Sequence, residues 1–321
     1  MSRPASQPVV AEIVRSGLVE GAHHGSVVAL AADGTVDWAV GEVREPVLPR
    51  SCNKPVQALA MVRLGLDLPP DLLALASASH SGEPMHLEGV HRILASAGLD
   101  ESALRTPPDY PLDDEERDAV LRAGGGPTRA QMNCSGKHAA MLATCVLQGW
   151  DTEDYLAPEH PLQVSLRAVF EELTGEPSQL ATDGCGAPIF TASLVGLATA
   201  FRRLAVAADG PERRVADAIR QYPAMVSGTR RDDRALLVAV PGAIGKIGAE
   251  ACYAVALADG RSFALKIEDG ADRARPVVMA AALCRSGVDR EPGVDGAALR
   301  RTGEAPLLSG DRPVGEIRAV L

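Results

Sequence analysis

Two stretches of alternating apolar and polar residues, one near each end of the chain, limit the possible folds most strongly. The first covers residues 9–40 and contains the pair Asp33-Gly34, and the second, ACYAVALADGRSFALKIED, contains Asp259-Gly260. Alternation is typical of a strand with one buried face, and Asp-Gly between two such runs indicates a hairpin turn. We therefore predict three strands in the first stretch, a late hairpin and a closing strand in GEIRAVL, which pair in one sheet.

The middle of the chain has the periodicity of helices instead. Segments such as KPVQALAMVRLG, HLEGVHRILASAGLD and PIFTASLVGLATAFRRLA place apolar residues three and four positions apart. The later segment LLVAVPGAIGKIGAE is apolar and rich in glycine, and we predict strand structure there. The predicted fold class is α/β, a mainly antiparallel sheet flanked by helices with a helical region inserted.

The same patterns give an expected organisation of the chain. We expect the sheet to use residues of about 9–50 and 235–321, and the helical region to cover about 51–234. Strands from both ends must then pair with each other, so residues 9–321 form a single domain. Residues 1–8 have the composition of a short disordered leader.

Charge and composition exclude several functional classes. The chain of 321 residues carries a formal net charge of −10 and has no run of Lys or Arg, which argues against nucleic acid or an anionic membrane as a partner. No apolar run is long enough to span a membrane, and MSRPASQPVV lacks the apolar core of a signal peptide. We therefore predict a cytoplasmic protein, whose six cysteines are free thiols or metal ligands.

The stretch RSCNKPVQALA places Ser51 three residues before Lys54 at the start of a predicted helix. Residues i and i+3 share one helical face, so the amine can accept the proton of the hydroxyl, as in the S-x-x-K device of β-lactamases. The pattern is short and occurs often by chance. The alternative is a serine that caps the helix beside a solvated lysine.

A serine-rich loop and a strand lysine are further candidates. The loop SASHSGEPMH, residues 77–86, offers a second hydroxyl or an oxyanion donor, or is simply a polar turn. In the strand FALKIED, Lys266 lies either on a solvated face or in a cleft.

Two more loops carry possible metal ligands. QMNCSGKHAAML brings Cys134, Lys137 and His138 together at a helix start, and ATDGCGAPIF contains Asp183 and Cys185. Thiolates and imidazoles are the ligands that zinc prefers, although this spacing matches no zinc finger or zinc ribbon. The alternative is a pair of buried free cysteines.

The five blocks RSCNKPVQALA, ASHSGE, MNCSGKHAAML, DGCGAP and FALKIEDGA occur in this order. Together they resemble the rhizobial-type L-asparaginases, the family also called asparaginase II or class 3. The resemblance runs from about Val9 to Leu321, and its most distinctive parts are NCSGKHAAML and DGCG. It implies a homodimer whose fold is similar to that of the serine β-lactamases and glutaminases.

The resemblance also implies catalytic residues. Ser51 and Lys54 match the first Ser–Lys pair of the family, and Lys266 matches the lysine of the second pair. The serine of the second pair lies in SASHSGE, where Ser81 is our first choice and Ser79 the alternative.

A zinc site and a substrate site follow from the same resemblance. The residues it implies are Cys134, Lys137 and Cys185 as ligands of Zn²⁺, and Arg50, Asp183 and His138 as contacts of L-asparagine.

The implied activity is hydrolysis of L-asparagine to L-aspartate and ammonia through an acyl-enzyme on serine, with zinc as a positioner of substrate. The sequence leaves open which Ser–Lys pair supplies the nucleophile. One alternative is another S-x-x-K acyl hydrolase, such as a glutaminase, a penicillin-recognising enzyme or an esterase. The other is a non-enzymatic zinc-binding protein, in which Cys134 and Cys185 only join two loops.

Overall fold

The computed structural model describes residues 7–321, so residues 1–6 of the predicted leader lie outside it. The chain divides into two compact units. Among the described residues, a sheet unit contains residues 7–52, 192–206 and 235–321, and a helical unit contains residues 53–191 and 207–234.

Antiparallel strands form the core of the sheet unit. Its strands are β1 (Val9–Arg15), β2 (Leu18–Leu30), β3 (Val36–Val40), β6 (Ile244–Gly248), β7 (Cys252–Ala256), β8 (Ser262–Ile267), β9 (Pro306–Ser309) and β10 (Arg312–Ala319). They lie in the order β6-β7-β8-β2-β1-β10-β9, with β3 beside β2. All the pairs are antiparallel, which confirms the predicted sheet.

Both predicted Asp-Gly turns are present. Gly34 and Gly260 have φ angles of +91° and +98°, a conformation that glycine adopts without steric cost. Three α-helices lie entirely within the described part of the unit, α7 (Leu194–Ala205), α11 (Arg275–Arg285) and α12 (Gly296–Arg301). Because α7 packs on β2, β7 and β8 and α11 packs on β8, the sheet has helices against it, as predicted.

The helical unit contains the predicted insertion. Its helices are α1 (Lys54–Arg63), α2 (Pro70–Ala76), α3 (Pro84–Ser96), α4 (Asp114–Arg122), α5 (Ser135–Gln148), α6 (Pro161–Thr174), α8 (Gly210–Gln221) and α9 (Pro223–Val226). The short strands β4 (Leu180–Thr182) and β5 (Pro188–Phe190) form a separate antiparallel pair. α1 begins as expected, with Pro55 in its first turn, where no backbone donor is lost.

Two predicted elements were wrong. LLVAV lies in the helix α10 (Asp232–Ala239) and the residue after it, not in a strand. Its first turn carries Asp232 and Asp233, which the helix dipole favours, and Pro241 follows its end. PIFTASLVGLATAFRRLA is not one helix, because α7 begins only after Ser193, whose hydroxyl accepts a hydrogen bond from the Gly196 amide.

In the described part of the chain, no helix is long and apolar enough to cross a membrane. The cytoplasmic location and the homodimer stay predictions.

Candidate active site

The amine of Lys54 is buried at the start of α1 and has three acceptors within the helical unit. It donates to the carbonyl of Ala78 at 2.6 Å, to Ser79 Oγ at 2.9 Å and to Cys134 Sγ at 3.0 Å. The loop of residues 77–83 thus brings a hydroxyl directly to this lysine. A serine hydroxyl within hydrogen-bond reach of an amine is the arrangement that general-base activation requires.

Two serines of that loop lie in different surroundings. Ser79 contacts Lys54, whereas Ser81 Oγ is buried and has no hydrogen-bond partner within residues 7–321. A Cβ atom placed on Gly228 would stand 2.1 Å from Ser81 Oγ, so Ser81 faces the backbone of Gly228. Within the helical unit, the structure therefore associates Ser79 with a lysine and does not do so for Ser81.

His80 fixes the loop between these serines. Its Nδ1 accepts the Gly82 amide at 3.1 Å, and its Nε2 is 2.8 Å from Ser135 Oγ. Burial holds the pKa of His80 well below its usual range, and the charges of His86 and Lys54 lower it further. The neutral ring therefore acts as a fixed structural link between the loop and α5.

Cys134, Lys137 and Cys185 form a buried cluster at the start of α5. The two thiols share a hydrogen bond, and Lys137 Nζ lies 3.2 Å from Cys185 Sγ. That thiol hydrogen bond, followed by the charge of Lys137, holds the pKa of Cys185 far below its usual range. Burial lowers the pKa of Lys137, but the charges of Cys185, Cys134 and Asp183 outweigh this effect and raise it. The surroundings therefore favour the thiolate form of Cys185 and the ammonium form of Lys137.

This cluster has the donors that a zinc ion needs. No group of three or more His, Cys, Asp or Glu side chains within residues 7–321 is arranged to hold a metal, but the predicted set differs by including a lysine. His138 Nδ1 is 2.7 Å from the hydroxyl of Tyr155, and its buried Nε2 has no hydrogen-bond partner of ordinary geometry among the described residues. The two sulfurs and the amine of this cluster are donors that fit Zn²⁺, once the Cys134 thiol and the Lys137 ammonium have each lost a proton.

In the sheet unit, Ser51 lies in a strained turn. Residues 50–53 form a single 3-10 turn, and Arg50 has a φ angle of +51°, which costs free energy for a residue with a side chain. A Cβ atom on Gly248 of β6 would stand 2.3 Å from the carbonyl oxygen of Pro49 and 3.3 Å from the Ser51 amide nitrogen. The Ser51 turn is therefore packed directly on the backbone of β6.

Lys266 projects from β8 and is half-buried. Its amine donates to the carbonyls of Glu250 at 2.5 Å and Ile267 at 2.6 Å. Burial lowers its pKa, and the positive charge of Arg50 acts in the same direction. Arg50 Nη1 also lies 3.9 Å from Glu250 Oε1, so the turn between β6 and β7 contacts both basic residues.

The sequence motifs contain most residues of these clusters. Two of the residue pairs predicted from those motifs are not tested by the structure. The predicted pairs Ser51–Lys54 and Ser81–Lys266 each combine a residue of the sheet unit with a residue of the helical unit, and both pairs stay predictions. The sequence pattern gave no role to Lys246, a fully buried lysine of β6. The rarity of lysine in the whole chain was the signal that would have identified it.

The comparisons with known proteins agree with the sequence blocks. A family model described as L-asparaginase II matches residues 11–319. The comparison with curated proteins finds no match. Among solved structures, a β-lactamase from Mycobacterium bovis is similar, with 17% identity over 81% of this chain and 94% of that chain and a TM-score of 0.47.

Two further solved structures are similar at lower identity. One is Mglu in its tris and glutamate form, with 13% identity over 88% of this chain and 63% of that chain and a TM-score of 0.44. The other is a Bacillus glutaminase, with 11% identity over 82% of this chain and 91% of that chain and a TM-score of 0.37.

Proposed function

Because this chain belongs to the L-asparaginase II family and is a hydrolase that acts on amides, we propose that it hydrolyses L-asparagine to L-aspartate and ammonia. The observation that carries the proposal is the buried amine of Lys54, which contacts Ser79 Oγ at 2.9 Å and follows Ser51 by three residues. This combination supports an acyl-enzyme route on serine.

In the proposed route, Ser51 attacks the side-chain amide carbon of L-asparagine, and the amine of Lys54 accepts the hydroxyl proton. Backbone amides at the start of α1 stabilise the oxyanion of the tetrahedral intermediate. Protonated Lys54 then passes its proton through Ser79 to the leaving nitrogen, which departs as ammonia. Water attacks the β-aspartyl ester, and release of L-aspartate restores Ser51.

We assign the relay hydroxyl to Ser79 because it contacts Lys54, whereas Ser81 faces Gly228. Lys266 remains the proposed lysine of the second pair, and its half-buried, desolvated amine supports a role in proton transfer.

Recognition of the amino acid is assigned to charged and polar side chains. Arg50 would bind the α-carboxylate, while Asp183 and His138 would contact the rest of the substrate. Cys134, Lys137 and Cys185 would hold a zinc ion, which when bound would supply a fixed positive charge that positions substrate.

Ammonia release from L-asparagine and L-glutamine, together with hydrolysis of a β-lactam chromophore, tests the proposal against its alternatives. We expect turnover of L-asparagine and much slower reactions of the other two substrates. Ser51→Ala should abolish turnover, Ser79→Ala should lower kcat by about 10²–10⁴-fold, and Ser81→Ala should have a smaller effect than Ser79→Ala. A Ser51→Ala protein that keeps most of its rate would contradict the serine mechanism.

A further inference from the structure

The turn between β6 and β7 holds two consecutive residues in the left-handed region of backbone conformation. Glu250 has a φ angle of +58° and Ala251 one of +52°, and within residues 7–321 the other non-glycine residues with positive φ are Ser16 and Arg50. This conformation costs free energy for a residue with a Cβ atom, and it persists only where the surroundings impose it. Because such residues cluster at active sites and ligand-binding sites, the turn is a candidate for a ligand contact.

Contacts within the sheet unit fix Glu250 in this turn. Its carbonyl accepts a hydrogen bond from Lys266 Nζ at 2.5 Å. Its side chain lies over the backbone of Gly270, where a Cβ atom would stand 2.3 Å from Glu250 Oε2. The side chain is nevertheless 61% exposed. The carboxylate is therefore held in one place and remains accessible to a ligand.

This carboxylate lies beside the arginine that precedes Ser51. Glu250 Oε1 is 3.9 Å from Arg50 Nη1, which is longer than the distance of about 2.7–3.2 Å in a hydrogen bond. An ion pair of this length at an exposed glutamate contributes little to stability. The pair instead places a negative and a positive group side by side, next to the proposed nucleophile.

A free α-amino acid carries the complementary pair of charges. Its α-carboxylate and α-ammonium groups are attached to the same carbon atom, so a site that binds one group at Arg50 brings the other close to an adjacent acceptor. A hydrogen bond between an ammonium and a carboxylate is about twice as strong as one between neutral groups. The charges of Arg50 and Glu250 therefore match a zwitterionic ligand.

We infer that Glu250 determines substrate specificity by binding the α-ammonium group of the substrate. This inference rests on the proposed function, in which Arg50 binds the α-carboxylate of L-asparagine. It deepens that function by naming the substrate class as the side-chain amide of a free α-amino acid. Amides without an α-amine, and residues whose α-amine is part of a peptide bond, should be poor substrates.

Glu250→Gln tests the inference, because it keeps the size of the side chain and removes its charge. Since this side chain is largely exposed, the variant should fold. The two substrates are L-asparagine and succinamate, which has the same amide and carboxylate but no α-amine. We expect the wild type to prefer L-asparagine, and Glu250→Gln to lower the ratio of the two kcat/KM values about 10–100-fold.

The ratio separates recognition of the α-ammonium from other effects of the substitution. Burial lowers the pKa of Lys266, and the charge of Glu250 opposes this effect. Any loss that acts through Lys266 or through the fold of the turn is common to both substrates and cancels in the ratio. An equal fall in kcat/KM for both substrates would show that Glu250 only supports the turn, and it would overturn the inference.

Two further variants are controls. Glu250→Asp keeps the charge and suits a positive φ angle, so it should recover part of the preference for L-asparagine. Glu304→Gln removes the charge of an exposed glutamate that precedes β9, at the opposite edge of the sheet from β6, and should leave the ratio unchanged. A wild type that does not prefer L-asparagine to succinamate contradicts the inference.

The outcomes also separate this inference from the proposed function. If L-asparagine is turned over and Glu250→Gln keeps the wild-type ratio, the inference fails and the asparaginase proposal stands. If the wild type releases no ammonia from L-asparagine, the proposed function fails, and calorimetry compares the Kd values of L-aspartate and succinate in the same variants. Tighter binding of L-aspartate by the wild type that is lost in Glu250→Gln then supports the inference. No binding of L-aspartate, or an unchanged preference in the variant, overturns it.

Discussion

At the scale of single residues, the cluster of Cys134, Lys137 and Cys185 gives a prediction about metal. Cys185 contacts Lys137 and Cys134 but, within residues 7–321, makes no hydrogen bond to the proposed base Lys54, so its substitution tests zinc binding without removing a contact of that base. We expect the wild type to carry zinc after purification and Cys185→Ser to lose it. KM for L-asparagine should rise about tenfold or more, with a smaller fall in kcat, if zinc positions substrate.

Metal analysis and steady-state kinetics measure both effects. Cys145→Ser is the control, because Cys145 is a buried free cysteine of α5 outside the cluster. It should retain zinc and activity. A Cys185→Ser protein with its full zinc content would contradict the assignment of the ligands.

The residue scale also shows what a sequence pattern can and cannot identify. The S-x-x-K spacing identified Lys54 because its predicted partner, Ser51, is only three residues away in the sequence. Its contacts with Ser79 and Cys134 join residues 25 and 80 positions away, and they depend on how α1, the loop and α5 pack. The choice between Ser79 and Ser81 depended on the same packing, so the sequence pattern could not make it.

At the scale of elements, the close contact between β6 and the Ser51 turn is the feature that a substitution would disturb most. Gly248→Ala would place a Cβ atom 2.3 Å from the Pro49 carbonyl, and one of the two segments must move. Because a shift of about 1 Å at a reacting group can cost about 100-fold in rate, we expect a similar fall in kcat. The overpacking should also lower the free energy of unfolding by about 1–3 kcal/mol.

Gly245→Ala, on the opposite face of the same strand, is the matched control. Its Cβ atom would approach the Ala254 carbonyl and Val255 no closer than 3.3 Å. We expect it to retain most of its activity in the same assay. Equal kcat values for the two variants would show that the contact between β6 and the turn does not control the nucleophile.

Elements were predictable from the sequence where a local signal was strong. The Asp-Gly hairpins and the amphipathic helix α3 lie where the sequence pattern predicts them. The error at α10 arose because a short apolar run fits a buried strand and a buried helix equally well. At this position, the acidic first turn and Pro241 indicate a helix and its end more reliably than the apolar run does.

At the scale of the whole molecule, two buried histidines couple folding to pH. His80 and His86 are stacked, with ring centroids 5.2 Å apart, and burial lowers the pKa of both. Each ring accepts a backbone amide at Nδ1, from Gly82 and from Glu83. Protonation of either ring would remove that acceptor, so the folded chain keeps both histidines neutral.

The sign of the effect follows from proton uptake. Above the unfolded-state pKa of about 6.5, both histidines are neutral in either state and contribute no pH dependence. Below it, the unfolded chain binds protons that the folded chain does not, so the free energy of unfolding falls as pH falls. The slope should approach about 1.4 kcal/mol per pH unit for each histidine that stays neutral in the folded state.

Urea unfolding at several pH values between about 5 and 7 measures this slope, in a range where most carboxylates stay ionised. His80→Gln should flatten the dependence, because glutamine does not titrate, and it should also cost stability near pH 7 through the lost contact with Ser135. His91→Gln removes an exposed histidine of α3 and should leave the slope unchanged. If the slope is unchanged in His80→Gln, His80 binds the same number of protons in the folded and the unfolded chain. That result would contradict the conclusion that burial keeps this ring neutral in the folded chain.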